Sequence, residues 1–269
     1  MKVAVVQMSV QGEKNKNIEK AMYFIDQAAQ KGADVVLLPE CFNFFGVSSE
    51  IINEAETIPG PTSEILSKKA KEHDIYINCG SIYEKANDEF AYNTSLLFNR
   101  EGNIIAKYQK IHLYDANFKN RFSSYESELI KPGEKIVSTE TEFGKIGLSI
   151  CYDLRFPELF RTLALEGSQI IFVPAAFPQY TGSLYWETLL KARAVENQCY
   201  IVSAGQFGKA SDGRVFFGNS LIVDPWGTQL AKAQEKEGVT VQEIDLSYIE
   251  QVRNNIPVFS HRKPQTYNL

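Results

Sequence analysis

The stretch 147–158, GLSICYDLRFPE, constrains the fold more than any other part of the chain. Residues 146–150 are an apolar run of the kind that makes a buried strand, and the run stops at Cys151. A polar turn follows through Tyr152, Asp153 and Arg155, and Pro157 then stands where the first turn of a helix tolerates proline. Over 158–166 apolar residues fall at Leu159, Phe160, Leu163 and Ala164, which is helical spacing, and Gly167 ends the segment. A cysteine at such a junction is held rigidly at the carboxyl end of a strand. It faces the helix's unsatisfied N–H groups, which favour a thiolate and any anion formed beside it. A lone cysteine in an apolar strand is more often a structural core residue. Here the charged residues downstream, and partners on two distant stretches, weigh towards chemistry.

The same strand–helix grammar runs from end to end. Strands are expected at 2–8, 35–38, 75–83, 92–98, 104–108, 170–173, 199–204, 220–223 and 239–244. Helices are expected at 15–31, at 62–73 with Thr62 as N-cap, at 184–197 and at 246–254. The region 112–132 is polar and irregular and reads as a long functional loop, and 256–269 reads as an extended polar tail. With no linker, charge block or repeat, the reading is one α/β domain over 1–269 with helices packed on sheet faces.

A net charge of −5 with no basic stripe argues against a nucleic-acid or membrane-surface role, and no apolar run approaches a membrane span. Cys41, Cys79, Cys151 and Cys199 are widely spaced, with no CxxC and no zinc-like Cys/His cluster, so no metal site is expected. The start MKVAVVQM is too short for a signal segment, which points to a cytoplasmic, reduced chain.

Three strands run towards a reactive residue: 35–38 towards Glu40, 104–108 towards Lys110, and 146–150 towards Cys151. Ligand sites in α/β sheets gather beyond the carboxyl ends of strands, so these ends have a reason to converge. A thiol nucleophile needs a base, usually histidine. His73 sits at a helix end and reads as solvated, and His261 lies in the tail; His112, close to Lys110, stays open as a candidate. A buried carboxylate can do the same work, and Glu40 follows a wholly apolar strand and Pro39. A nearby lysine would hold the developing oxyanion.

These residues carry a family resemblance. LLPECF around Glu40, YQKIHLYD around Lys110, YESE at 125–128 and GLSICYDLRFPELFR around Cys151 resemble the nitrilase, or carbon–nitrogen hydrolase, superfamily. AVVQM near the start and GNSLIVDPWG at 218–227 extend the likeness over essentially the whole chain. Within it, AFPQYTGSLYWETLLKARAVENQCYIV and the tail IPVFSHRKPQTY look most like the Nit branch of amidases.

The resemblance implies a four-layer α-β-β-α sandwich, no metal, no organic cofactor and a homo-oligomer of at least two chains. It implies a Glu–Lys–Cys triad on Glu40, Lys110 and Cys151, with Glu126 as a further carboxylate that positions substrate and lysine. The expected activity is hydrolysis of the C–N bond of a small linear amide, deaminated glutathione-like or a 2-oxo acid ω-amide, through a cysteine thioester. A nitrilase or carbamoyl-amide hydrolase on the same triad, and an inactive binding protein of the same fold, are the alternatives. The backbone N–H of Tyr152 is placed for an oxyanion hole, and Phe177 and Thr181, after a strand end, for lining the pocket. Arg155 and Glu158, at i and i+3, are expected to pair with each other, and Trp186, Arg193 and Glu196 to serve packing and an ion pair.

Overall fold

The computed structural model describes residues 1–119 and 122–267, and of Phe122 the backbone alone. Two mixed sheets pack against each other. The first runs in the order Gly238–Glu243, Lys2–Gln7, Val35–Leu37, Tyr76–Asn78, Ala91–Phe98, Ile82–Lys85, with Ile104–Gln109 also paired to Ala91–Phe98. The second runs Gln229–Lys232, Leu221–Val223, Tyr200–Gly205, Ile170–Ala175, Gly144–Leu148, Ser138–Thr141. The central strands of each are parallel, with Val3 opposite Val35 in one and Ile146 opposite Ile170 in the other. Helices Lys14–Gln30 and Pro61–His73 cover the first sheet, and Pro157–Leu165 and Gln179–Asn197 the second. The expected α-β-β-α layering is therefore what forms.

Strand periodicity assigns each residue to a layer. Val3, Val5, Val35 and Leu37 belong to a core shared with the second sheet, including Leu148, Phe172 and Val202. Their neighbours Ala4, Val6, Val36 and Leu38 belong to a separate core with Ile18, Ala21, Ile25, Leu66 and Ala70 of the covering helices. Because both faces are covered, the strands read as unbroken apolar runs instead of alternating ones. Each fully buried Val, Leu or Ile stabilises this arrangement by about 1.5–3 kcal/mol.

Several local expectations are corrected. The helix Pro61–His73 is capped by Gly60, whose N–H donates to Ser63 Oγ at 2.8 Å. Thr62 lies inside the first turn, where its N–H and hydroxyl both donate to Glu56. His73 is not simply solvated, since its Nε2 lies 2.6 Å from Asp26 Oδ1 on the neighbouring helix. The strand expected at 75–83 is two strands, because the chain turns at Gly80 (φ +65°), where a Cβ would sit 1.9 Å from the Pro39 carbonyl oxygen. The helix expected from 184 starts at Gln179, through Gly182, whose missing side chain admits the Phe217 ring.

The 112–132 stretch is not irregular throughout: Asp115–Phe118 pairs with Phe122–Tyr125 as a hairpin, and a 3-10 turn spans Glu126–Glu128. The tail contains the short helix Val258–His261 and the turn Pro264–Thr266. Positions 120–121 and 268–269 of these stretches lie outside the described residues. Strands Ser138–Thr141, Phe207–Lys209, Val215–Phe217 and Gln229–Lys232 are too short, or too polar, to have been read from the sequence.

Candidate active site

Strand Gly144–Leu148 delivers the chain to Cys151, which adopts a left-handed backbone (φ +51°) before a 3-10 turn and helix Pro157–Leu165. For a residue with a Cβ this conformation costs roughly 1–3 kcal/mol and survives only where the surroundings enforce it. The enforcing group is the fully buried Asp153. Its carboxylate accepts the Ile150 N–H at 2.8 Å, the Tyr108 hydroxyl at 2.7 Å and the His112 N–H at 3.1 Å. His112 also brings Nδ1 to 2.7 Å from Asp153 and stacks on Phe156, with ring centroids 3.6 Å apart. It lines neither cavity that reaches Cys151. His112 thus supports the turn and is not set to act as the thiol's base.

Glu40, Lys110 and Cys151 are brought together with Glu126. Lys110 is 2% exposed, and its Nζ donates to Glu40 Oε1 at 2.9 Å and to Glu126 Oε2 at 2.8 Å. Burial alone would pull this lysine's pKa down, but Glu126, Glu40 and Cys151 raise it well above the usual value, so it stays charged. Asn93 Nδ2 bridges the two carboxylates, 3.0 Å from Glu40 and 3.2 Å from Glu126. Glu126 Oε2 also accepts the Tyr114 N–H at 2.7 Å. Glu40 is anchored at both ends, Oε2 accepting the Ala176 N–H at 2.7 Å and its carbonyl accepting from Gln206 Nε2 at 2.7 Å. The Cys151 thiol is raised well above its ordinary value, first by burial and then by the charge of Glu40; Lys110 and the Ala176 N–H act in the opposite direction. The backbone N–H of Tyr152, at the start of its turn, meets no acceptor among the described residues.

Two cavities meet at Cys151. A large one, about 740 Å³, is lined by Glu40, Lys110 and Glu126 among others, and by the 212–216 segment. A small one, about 20 Å³, is lined by Tyr152, Arg155, Phe177 and Thr181, so Phe177 and Thr181 do reach a cavity beside the cysteine. Arg155 does not pair with Glu158. Its guanidinium lies 4.1 Å from the Tyr185 ring centroid, donates to the Tyr185 hydroxyl, and keeps a buried Nε with no hydrogen-bond partner. The expected Arg193–Glu196 pair forms at 2.9 Å, and Trp186 is buried with its N–H on the Asn219 carbonyl. Among the described residues no group of three or more His, Cys, Asp and Glu side chains is arranged to hold a metal ion.

The carbon–nitrogen hydrolase family profile matches residues 2–254. The chain belongs to the carbon–nitrogen hydrolase family. This hydrolase is 40% identical to the nitrilase and fragile histidine triad fusion protein NitFhit of Caenorhabditis elegans, over 99% of this chain and 62% of that protein. The chain therefore spans less than two thirds of the fusion's length. The crystal structure of C. elegans NitFhit superposes with a TM-score of 0.93 at 38% identity, covering 99% of this chain and 66% of that one. Deaminated glutathione amidase of Homo sapiens is 38% identical over 98% of this chain and 83% of its own length. Omega-amidase NIT2-A of Xenopus laevis is 40% identical over 100% of this chain and 97% of its own.

Asn93, Asp153 and Arg155 are the site residues that sequence reasoning undervalued. Asp153 had a local signal, an acid three residues after the strand's last apolar residue, the spacing that lets a side chain reach back to cap a turn. Asn93 had none, because its partners Glu40 and Glu126 are distant in sequence.

Proposed function

We propose that this carbon–nitrogen hydrolase is an amidase that cleaves a small linear amide carrying a distal carboxylate or 2-oxo acid, through a thioester on Cys151. The observation that supports this most is the buried grouping of Cys151 with Glu40, Lys110 and Glu126. Glu40 accepts the thiol proton as Cys151 Sγ attacks the amide carbon, which avoids leaving a bare thiolate in a site that disfavours one. The charged Lys110 and the Tyr152 N–H face the oxyanion of the tetrahedral intermediate; one such donor is worth about 2.7–4 kcal/mol. The intermediate collapses as Glu40 returns the proton to the leaving nitrogen. Glu40 then takes a proton from water, whose oxygen attacks the thioester, and the thiol is restored with release of a carboxylate. Glu126 keeps Lys110 charged and aimed. Arg155, with Tyr152, Phe177 and Thr181, lines the small cavity beside Cys151, which has room for about one water.

The names of the relatives at 38–40% identity support the amidase chemistry. In this reading residues 1–269 act as one domain, because Glu40 and Cys151 come from different sheets. All four cysteines are free, which suits a cytoplasmic enzyme. Among the described residues no helix is long and apolar enough to cross a membrane. The test is release of ammonia or amine from a panel of 2-oxo acid ω-amides, deaminated peptides, nitriles and carbamoyl amines. Turnover confined to nitriles or to carbamoyl amines would overturn the proposal.

A further inference from the structure

An ionised carboxylate has two acceptor positions on each oxygen, and the donors around it decide which of them stay open. In the amidase reading above, on which this inference rests, Glu40 is the base. Glu126 is filled. Its Oε1 accepts from Lys110 Nζ at 3.1 Å and from Asn93 Nδ2 at 3.2 Å. Its Oε2 accepts from Lys110 Nζ at 2.8 Å and from the Tyr114 N–H at 2.7 Å. Glu40 is filled on one side only. Its Oε1 accepts from Lys110 Nζ at 2.9 Å and from Asn93 Nδ2 at 3.0 Å, whereas Oε2 accepts only the Ala176 N–H, at 2.7 Å. Among the described residues, the acceptor position left open on this pair of carboxylates is therefore on Glu40 Oε2. A hydrogen bond to Glu40 is one of the causes that keep the Cys151 thiol protonated.

Asn93 supplies one of the two donors on each filled Oε1. It is 1% exposed, on strand Ala91–Phe98, and its carbonyl accepts the Lys110 N–H at 2.9 Å. One residue thus touches the lysine through its main chain and both glutamates through its side chain. Its Nδ2 has one hydrogen for each glutamate, and its buried Oδ1 has no partner. The amide is turned so that both N–H groups serve the carboxylates, although this leaves its own oxygen unmatched.

The lysine gives that donor a second use. Lys110 has three N–H groups, and in the resting site they meet Glu40 Oε1, Glu126 Oε1 and Glu126 Oε2. To face the oxyanion it must turn one of them away. The longest of its contacts is the one to Glu126 Oε1, and Asn93 is the donor that stays on that oxygen.

We infer that Asn93 is a positioning residue that closes Oε1 of both glutamates, so that the thiol proton passes to Glu40 Oε2 and to no other carboxylate oxygen. The S–H bond breaks as an O–H bond forms on Oε2. The sulfur pair forms the bond to the amide carbon, and the carbonyl π pair moves to the substrate oxygen. Negative charge leaves Glu40 and appears on that oxygen while Lys110 stays between them, so the buried group keeps its total charge. Oε1 of the protonated Glu40 is then a carbonyl oxygen and still accepts from Asn93.

The test measures kcat and KM on 2-oxoglutaramate and on deaminated glutathione, and compares variants on whichever wild type turns over faster. Asn93→Leu should lower kcat about tenfold to a hundredfold and leave KM within about twofold, because Asn93 acts through Glu40 and Lys110 and not on substrate. Asn93→Asp has nearly the native shape but no N–H group, and it should be slower than Asn93→Leu. In a Glu40→Gln background, Asn93→Leu should cost at least about fivefold less than in wild type, since the base it directs is gone. Equal costs in the two backgrounds would mark a structural role and overturn the inference. So would an Asn93→Asp enzyme faster than Asn93→Leu, which would show that shape alone matters. If the leucine variant does not fold, Asn93→Ser replaces it in both backgrounds. The serine keeps one donor, so its kcat should lie between wild type and Asn93→Asp, and a rate below Asn93→Asp would overturn the inference. Active wild type with unchanged Asn93 variants defeats the role of Asn93 alone, whereas wild type inactive on every amide defeats the amidase reading and this inference with it.

Discussion

The Glu40 carboxylate, carried beyond a strand of the first sheet, accepts the backbone N–H of Ala176, just past a strand of the second, at 2.7 Å. That bond spans 136 residues of sequence and ties the carboxylate to the layer that carries Cys151. The position of the candidate base is therefore a property of how the two sheets dock.

Covalent work by one cysteine should be visible by deletion. Cys151→Ala is expected to lower kcat by about 10³-fold or more, while Cys41→Ala, Cys79→Ala and Cys199→Ala keep turnover. Intact-mass trapping with substrate should find the acyl group on the peptide containing Cys151. An adduct on another cysteine would sink the assignment.

The direction of the thiol's shift gives a pH prediction. Burial and then the negative charge of Glu40 hold the Cys151 thiol protonated far above neutrality, against the pull of Lys110. Glu40→Gln removes the second cause and keeps the pull, so the thiol pKa must fall. Alkylation of Cys151 by a small thiol reagent should then rise at lower pH than in wild type, even as turnover is lost. An alkylation profile that stays in place, or moves to higher pH, would show that the thiol does not feel Glu40.

Glu126 and Glu128 share one 3-10 turn but not one environment. Glu126 holds Lys110, Asn93 and the Tyr114 N–H, whereas Glu128 is exposed. Glu126→Gln should cut kcat by about 10²-fold and leave Cys151 open to alkylation, and Glu128→Gln should stay near wild type. The reverse pattern in steady-state rates would mean that the other carboxylate does the positioning.

Asp153→Ala should unfold more easily. It strands the donors of Ile150, Tyr108 and His112, and each buried unsatisfied group costs about 1–3 kcal/mol. A denaturant midpoint equal to that of wild type would contradict this account of how the left-handed cysteine is held.

The fold was legible wherever a strand is covered on both faces, since 35–38 and 146–150 then carry unbroken apolar runs. It was illegible where the strands are short and partly covered, as in Phe207–Lys209 with Val215–Phe217, three residues each, which form an arm beside the large cavity. The site followed the same division. Glu40, Lys110 and Cys151 stand at strand ends and announce themselves by position. Arg155 was read as a helical pair with Glu158 because sequence spacing counts only neighbours on its own turn, and its real neighbours, Tyr152 and Tyr185, are set by packing.

Self-association should be measurable as well. The outer helices leave Leu165, Leu184 and Val195 exposed. Exposed apolar side chains of this kind can be covered by a second copy. Sedimentation at micromolar concentration should give at least twice the 30.4 kDa of one chain. A mass of one chain would refute this.

Neighbouring residues of a single central strand carry different loads. Val6 leans on the covering helices, so trimming it would loosen the outside of the molecule and leave the spacing between the sheets alone. Val5 leans on the opposite sheet, and trimming it would change the gap that Glu40 has to cross to reach Ala176. Along the strands beneath the site, the effect of a substitution on the gap between the sheets should therefore switch on and off at every second residue, while its cost in stability does not.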